Sequence, residues 1–188
     1  MTEMKLKGSG LVALTKFVEE RFGDEEYEAW LEPMSETQQT GLRSSFASSW
    51  YDYHTLYLEP LRMMCERFFS ADVFEGARAL GKYTAEKQLT GIYRALLKLG
   101  SPNLMIAAAG KTWRMLHSDG DLVTLENDPR SALIRTKGMP QFNPLIAEVT
   151  AAWMQKALEM AGGRDGHVSA AEKKDEDGRY FEFRIGWR

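Results

Sequence analysis

Apolar residues recur at helical spacing through the first two-thirds of this chain and at strand spacing near its end. Leu11, Leu14, Phe17, Val18 and Phe22 share one face of a helix predicted over 9–22, with Ser9 as N-cap and Gly23 as its stop. Asp24 caps a short helix carrying Tyr27, Trp30 and Leu31, which ends before Pro33. Residues 35–49 turn polar and read as short or irregular structure leading to Trp50. Asp52 caps a helix over about 54–69, whose stripe is Leu58, Leu61, Met64 (or Cys65) and Phe68. Pro60 fits there if the helix proper begins near Glu59, since proline is tolerated in a first turn and not in a helix interior.

The longest helix is predicted over 73–99, capped by Ser70 or Asp72 and ended by Gly100. Its seam is Phe74, Ala77, Gly81, Ala85, Gln88, Ile92, Ala95 and Leu99. A glycine in a helix interior costs about 1 kcal/mol relative to alanine. With Ala77 and Ala85, Gly81 makes a small-residue strip on which another element can pack closely. Ser101-Pro102 opens a further helix through Leu104, Met105 and Ile106 to Ala109.

The period then changes. Strands over 111–116 and 121–126 flank Ser118-Asp119-Gly120, a hairpin signal, and Asn127-Asp128-Pro129 turns the chain into a third strand over 132–137. Gly138 to Pro140 is a loop. Asn143 and Pro144 start one more helix, with Leu145, Val149, Ala152, Trp153 and Met160 on its buried face and Gly162-Gly163 at its end. Val168 and Ala170 begin a strand, residues 175–178 turn, and the last strand sets Phe181, Phe183, Ile185 and Trp187 against Glu182 and Arg184. The pattern is that of one α+β domain over 1–188, helical to about 110, then antiparallel sheet with one inserted helix over about 111–188.

Composition narrows the function classes. Hydrophobic residues are 44% and charged residues 27%, the balance of a chain that folds around its own core. A net charge of −3 and a pI near 5.7 argue against non-specific binding to nucleic acid or anionic lipid. Cys65 is the single cysteine, so an internal disulfide and a thiolate zinc cage are both excluded. Residues 1–7 hold no apolar core of signal-peptide length, and no stretch approaches the ~18 apolar residues of a membrane span. The expected compartment is the cytoplasm. Ten methionines, nine phenylalanines and five tryptophans supply a core first, and a pocket or partner groove second.

No motif for chemistry survives inspection. Gly110-Lys111-Thr112 resembles the end of a phosphate loop, but the required glycine five positions earlier is Met105. His54, His117 and His167 have no histidine or glutamate partner at metal-ligand spacing. Gly8-Ser9-Gly10 precedes a helix and lacks the outer glycines of a nucleophile elbow. Gly162, Gly163 and Gly166 follow a helix, whereas a dinucleotide fingerprint follows a strand. Cys65 lies on an apolar stripe, with Arg62 and Arg67 near enough in sequence to leave a reactive thiol open. No catalytic, metal or cofactor residue is assigned. The candidate ligand-pocket residues are Trp50, Tyr53, His54 and Tyr57, from the densest aromatic cluster in the chain.

The order of Lys7-Gly8, Phe22-Gly23, Trp50-Tyr51, Leu80-Gly81, Tyr93, Ser101-Pro102 and the closing Trp187 resembles a family of uncharacterised domain-length proteins from myxobacteria and their relatives. That family in turn is similar to a fold group holding the bacterial heme nitric-oxide-binding domains, Golgi-transport tethering subunits and vinyl-reductase-type ligand domains. The resemblance implies a helical layer packed on a twisted antiparallel sheet, with an apolar cavity between them. Heme domains of the group use a proximal histidine on a helix and a Tyr-x-Ser-x-Arg motif. This chain has no histidine between His54 and His117 and no such motif. The resemblance therefore implies a bacterial, non-enzymatic binding or signalling module without heme, holding a small apolar ligand or a protein partner. A homodimeric scaffold without a ligand is the alternative, and an enzyme with dispersed catalytic groups stands behind both.

Overall fold

The computed structural model describes residues 4–90, 101–139, 141–176 and 178–188. The expected extension of the long helix to Leu99, its Tyr93 and its stop at Gly100 lie outside the described residues, as do Pro140 and Asp177.

The chain opens with a short strand, β1 (Lys5–Lys7), that runs directly into α1 (Gly8–Phe22), α2 (Asp24–Leu31) and α3 (Glu36–Arg43). Strand β2 (Trp50–Asp52) pairs antiparallel with β1, Leu6 opposite Tyr51. A π-helical turn (His54–Leu58) then leads into α4 (Glu59–Phe68), followed by α5 (Val73–Thr90), α6 (Pro102–Ala107) and α7 (Ala109–Leu116). The rest is β3 (Asp121–Asp128), β4 (Ser131–Lys137), α8 (Pro144–Met160), β5 (His167–Asp175) and β6 (Gly178–Gly186). The four long strands form one antiparallel sheet in the order β3-β4-β6-β5. The expected α+β class with one helix inserted in the sheet region holds.

Local sequence explains most of these boundaries. Asp52 Oδ1 accepts from the Thr55 N–H at 2.6 Å and Asp72 Oδ1 from the Phe74 N–H at 2.9 Å, so both carboxylates cap. Ser101 and Asn143 cap α6 and α8 ahead of a proline. Gly162, at φ 95°, ends α8 in a left-handed conformation that side chains resist.

Four expectations change. Residues 111–116 are not a strand: Ala109, Thr112, Trp113 and Leu116 lie at i, i+3, i+4 and i+7 and turn one helical face inward. The alternation of Trp113, Arg114 and Met115 mimicked a strand. The hairpin of this region is therefore β3–β4, and Ser118 to Gly120 only joins helix to sheet. Residues 36–43 form α3, held by a reciprocal cap between Ser35 and Gln38. Ser9 is not an N-cap; α1 begins at Gly8, and the buried Ser9 hydroxyl instead meets Gln88 Nε2 at 3.3 Å. Glu182 is not on an open face; it is 9% exposed and accepts from Arg135 Nη2 at 2.9 Å.

The core has two layers joined by α8. One side of α8 meets the sheet, where Ile134 lies opposite Phe183 and Ala132 opposite Ile185, all buried. The other side meets α5. A β-carbon at Gly81 would fall on the Val149 carbonyl oxygen and 2.9 Å from the Ala152 Cβ, so glycine is what allows the two helices to touch. Phe142 links the layers, 6.0 Å from Trp113 and 5.3 Å from Phe181 between ring centres. No described helix is long and apolar enough to cross a membrane.

Candidate functional site

Helices α5 and α8 touch at Gly81, and one turn later the side of the pair turned toward α7 is incompletely filled. The gap is a cavity of about 90 Å³, walled by Thr84 and Gln88 of α5, Val149 and Trp153 of α8 and the inward face of α7. Leu6 of β1, Leu122 of β3, and Tyr53 and Tyr57 beside the π turn complete it.

Each polar side chain in the wall is positioned by its element. The π turn takes an extra residue per turn, and Glu59 N–H bonds back to the His54 carbonyl. Tyr53 and Tyr57 end up with ring centres 5.9 Å apart, both buried. Gln38 of α3 braces this turn, donating to the Thr55 carbonyl at 3.0 Å and to Glu59 Oε2 at 2.8 Å. His117 follows α7 in extended conformation, bridges to Leu6 of β1 and stacks on Trp113 at 3.6 Å with planes 10° apart. Gln88 is satisfied at both ends, accepting from Trp153 Nε1 at 3.0 Å and donating to Ser9.

Three polar atoms of the same wall are not satisfied. Tyr53 Oη, Thr84 Oγ1 and His117 Nδ1 are buried and make no hydrogen bond among the described residues. Such an atom costs about 1–3 kcal/mol, and three of them belong to residues of one wall. Burial pushes the Tyr53 and Tyr57 hydroxyls above their ordinary range. It pushes His117 down to about 3, with the Trp113 backbone pulling weakly the other way. All three groups are thus held neutral around pH 7. Among the described residues, none that lines the cavity carries a charge.

The aromatic cluster of the sequence divides here. Tyr53 and Tyr57 line the cavity; Trp50 and His54 do not. Trp50 is 42% exposed with Lys7 Nζ 4.2 Å above its ring, and His54 faces Glu59 at 3.3 Å beside a shallow depression on α4. Thr84, Trp113 and His117 escaped the sequence reading. A threonine on the buried seam of α5 was the available signal, as was the i, i+4 pair Trp113 and His117 once their segment is read as helix. Cys65 is buried and its thiol is pushed up to about 12 by burial, which removes it as a nucleophile. No group of metal-ligating side chains stands together among the described residues.

No family model matches this chain, and no curated protein does. Solved structures do. The Fe(II) unliganded H-NOX protein from K. algicida superposes with a TM-score of 0.71 at 15% identity, covering 97% of both chains. An oxygen-binding H-NOX domain related to soluble guanylate cyclases gives 0.70 at 9% identity, over 97% of this chain and 95% of that one. The H-NOX from Shewanella woodyi gives 0.69 at 15% identity, over 96% and 94%. Other structures of comparable likeness concern the modulation of heme redox potential by porphyrin distortion and heme distortion in the H-NOX family.

The residues of this cavity do not fit a heme. Binding pockets for larger molecules span roughly 300–1,000 Å³, well above the volume present. Of the three histidines, only His117 reaches the wall, and Trp113 covers one face of its ring. No cationic side chain among the described lining residues could answer a propionate. Across nearly its whole length, this chain has the H-NOX-type fold.

Proposed function

We propose that this chain is a non-enzymatic binding module, acting in signalling, that holds a small uncharged molecule in the cavity between α5, α7 and α8. One observation carries the reading: Tyr53, Thr84 and His117 all line one cavity, and each holds a buried polar atom (Oη, Oγ1 and Nδ1) without a partner among the described residues. A hydroxyl or carbonyl group entering the cavity would complete their bonding, while its apolar body replaces empty space. The sensing use of the fold fits this reading, since structures of the same architecture are described with oxygen and carbon monoxide. Here the ligand would be held without heme.

The reading is non-catalytic for a physical reason. Proton transfer near neutrality needs a group with a matching pKa, and the two tyrosines and His117 are shifted away from it in opposite directions. A cytoplasmic location and kinship with the myxobacterial family belong to the same proposal. Native mass spectrometry of the purified protein, with thermal shifts across a panel of small alcohols, phenols and amides, tests it. A bound species, or a shift abolished by Thr84→Val with Tyr53→Phe, is expected; no bound species and no shift would overturn it.

A second reading, a scaffold joining two copies or another protein, draws on Phe46 and Trp50, which are 70% and 42% exposed. Light scattering decides it: a strict monomer excludes the homodimer.

A further inference from the structure

A second, smaller hollow lies behind the first. It measures about 40 Å³ and sits between α6, α8 and the sheet, walled by Ile106, Ile134, Leu158 and Ile185 among others. Ala109 of α7 and Met154 of α8 belong to both walls. The two walls thus share one methyl group and one methionine. Methionine is unbranched, turns about three bonds and adapts its shape at little cost. The polar atoms are distributed unevenly between the two hollows. The three residues that hold unpartnered ones line the larger hollow, and the smaller is walled entirely by apolar side chains. Joined, the two hollows approach the ~150 Å³ of cavities that stay dry and take benzene or xenon.

We infer that the two hollows are one site divided by Met154, and that its ligand is an uncharged, unbranched amphiphile lying across the division. This rests on the ligand-binding reading above. The head, a hydroxyl or carbonyl, bonds with Tyr53, Thr84 and His117. The hydrocarbon end turns Met154 aside and runs against Ile134 and Ile185 of the sheet. The neutral wall selects an uncharged head, because a carboxylate or ammonium would be stripped of water with no counter-charge among the described lining residues. The sheet then senses occupancy directly: Ile134 and Ile185 lie on neighbouring strands of the buried face, and Phe183 lies opposite Ile134.

The series of n-alkan-1-ols from ethanol to decanol tests this on the intact chain. Affinity is expected to rise about fourfold per added methylene, as each is buried, until the two hollows are full, and then to stop. In Met154→Ala the stop moves to longer chains. In the wild-type protein the isoleucine methyl signals of Ile134 and Ile185 shift with the longer alcohols and not with ethanol, a readout that does not depend on the variant folding. The same stop in both proteins, or silent Ile134 and Ile185 methyls with every alcohol that binds, overturns the joined site while leaving the larger hollow as a ligand site. Failure of every alcohol to bind, or binding unaffected by Tyr53→Phe with Thr84→Val, overturns the ligand reading itself.

Discussion

Along one pair of helices, α5 and α8, the protein does two opposite things. At Gly81 the backbones touch, and Ala77 and Ala152 are sealed from solvent. At Thr84 and Gln88, less than two turns later, the same pair borders a cavity on the side turned toward α7. The first region is packed to the density of an interior and tolerates nothing larger. The second keeps both space and unsatisfied hydroxyls, each at a cost in stability. A chain selected for stability alone would place an apolar side chain at Thr84. On the proposed reading, the contrast teaches that the close contact at Gly81 is the scaffold and the cavity beside it the site.

The largest effect is expected at the contact. Gly81→Leu places a side chain on the Val149 carbonyl and should cost about 3 kcal/mol or more, read by urea unfolding; an unchanged midpoint would show that α5 and α8 do not need to touch. Acid titration probes the gap next. Burial holds His117 neutral in the folded chain, with its pKa down near 3, whereas the unfolded chain takes up this proton near 6.5. The stability contributed is therefore complete above about pH 6.5 and is lost as pH falls toward 3. Between about pH 6.5 and 5 the loss should reach about 1–2 kcal/mol, before carboxylates titrate, and His117→Phe should flatten it. A wild-type slope that persists in His117→Phe would mean that His117 is not sealed.

The sharpest test of the contrast has the opposite sign. Thr84→Val and Tyr53→Phe each remove a buried hydroxyl without a partner, so each should raise the stability of the ligand-free protein by about 1 kcal/mol, a shift of about 2–4 °C in a chain of this size. Binding of a small alcohol should weaken in the same variants. Destabilisation by both would mean that water already satisfies these hydroxyls. The smallest effect is expected at Trp50→Ala, which removes a half-exposed ring and its contact with Lys7, about 0.5–1 kcal/mol, with binding in the cavity unchanged.

What local chemistry dictates was legible without the structure. Caps at Asp52, Asp72, Ser101 and Asn143, the stop at Gly162 and the alternation of Phe181, Phe183 and Ile185 follow from backbone hydrogen bonding and side-chain period, which act within a few residues. Gly81 was legible too, as a small-residue strip awaiting a partner. The identity of that partner was not, because α8 lies about seventy residues away in sequence and only the fold brings it alongside.

The same limit explains the site. Tyr53 and Tyr57 stood out as aromatic residues, but their neighbours Trp50 and His54 looked alike in sequence; the π turn decides which rings face inward. Glu182 read as a solvent-facing charge because Arg135, its partner, comes from the neighbouring strand. Trp113, Arg114 and Met115 alternate as in a strand, and only packing against β1 and β3 makes the helical face the better one. By itself the sequence determined the α+β class and those caps and stops that depend on interactions between near neighbours, such as Asp52, Asn143 and Gly162. The cavity, its three unpartnered polar atoms and the Met154 partition belong to the tertiary structure alone, because an unfilled volume is a property of how distant surfaces fail to meet.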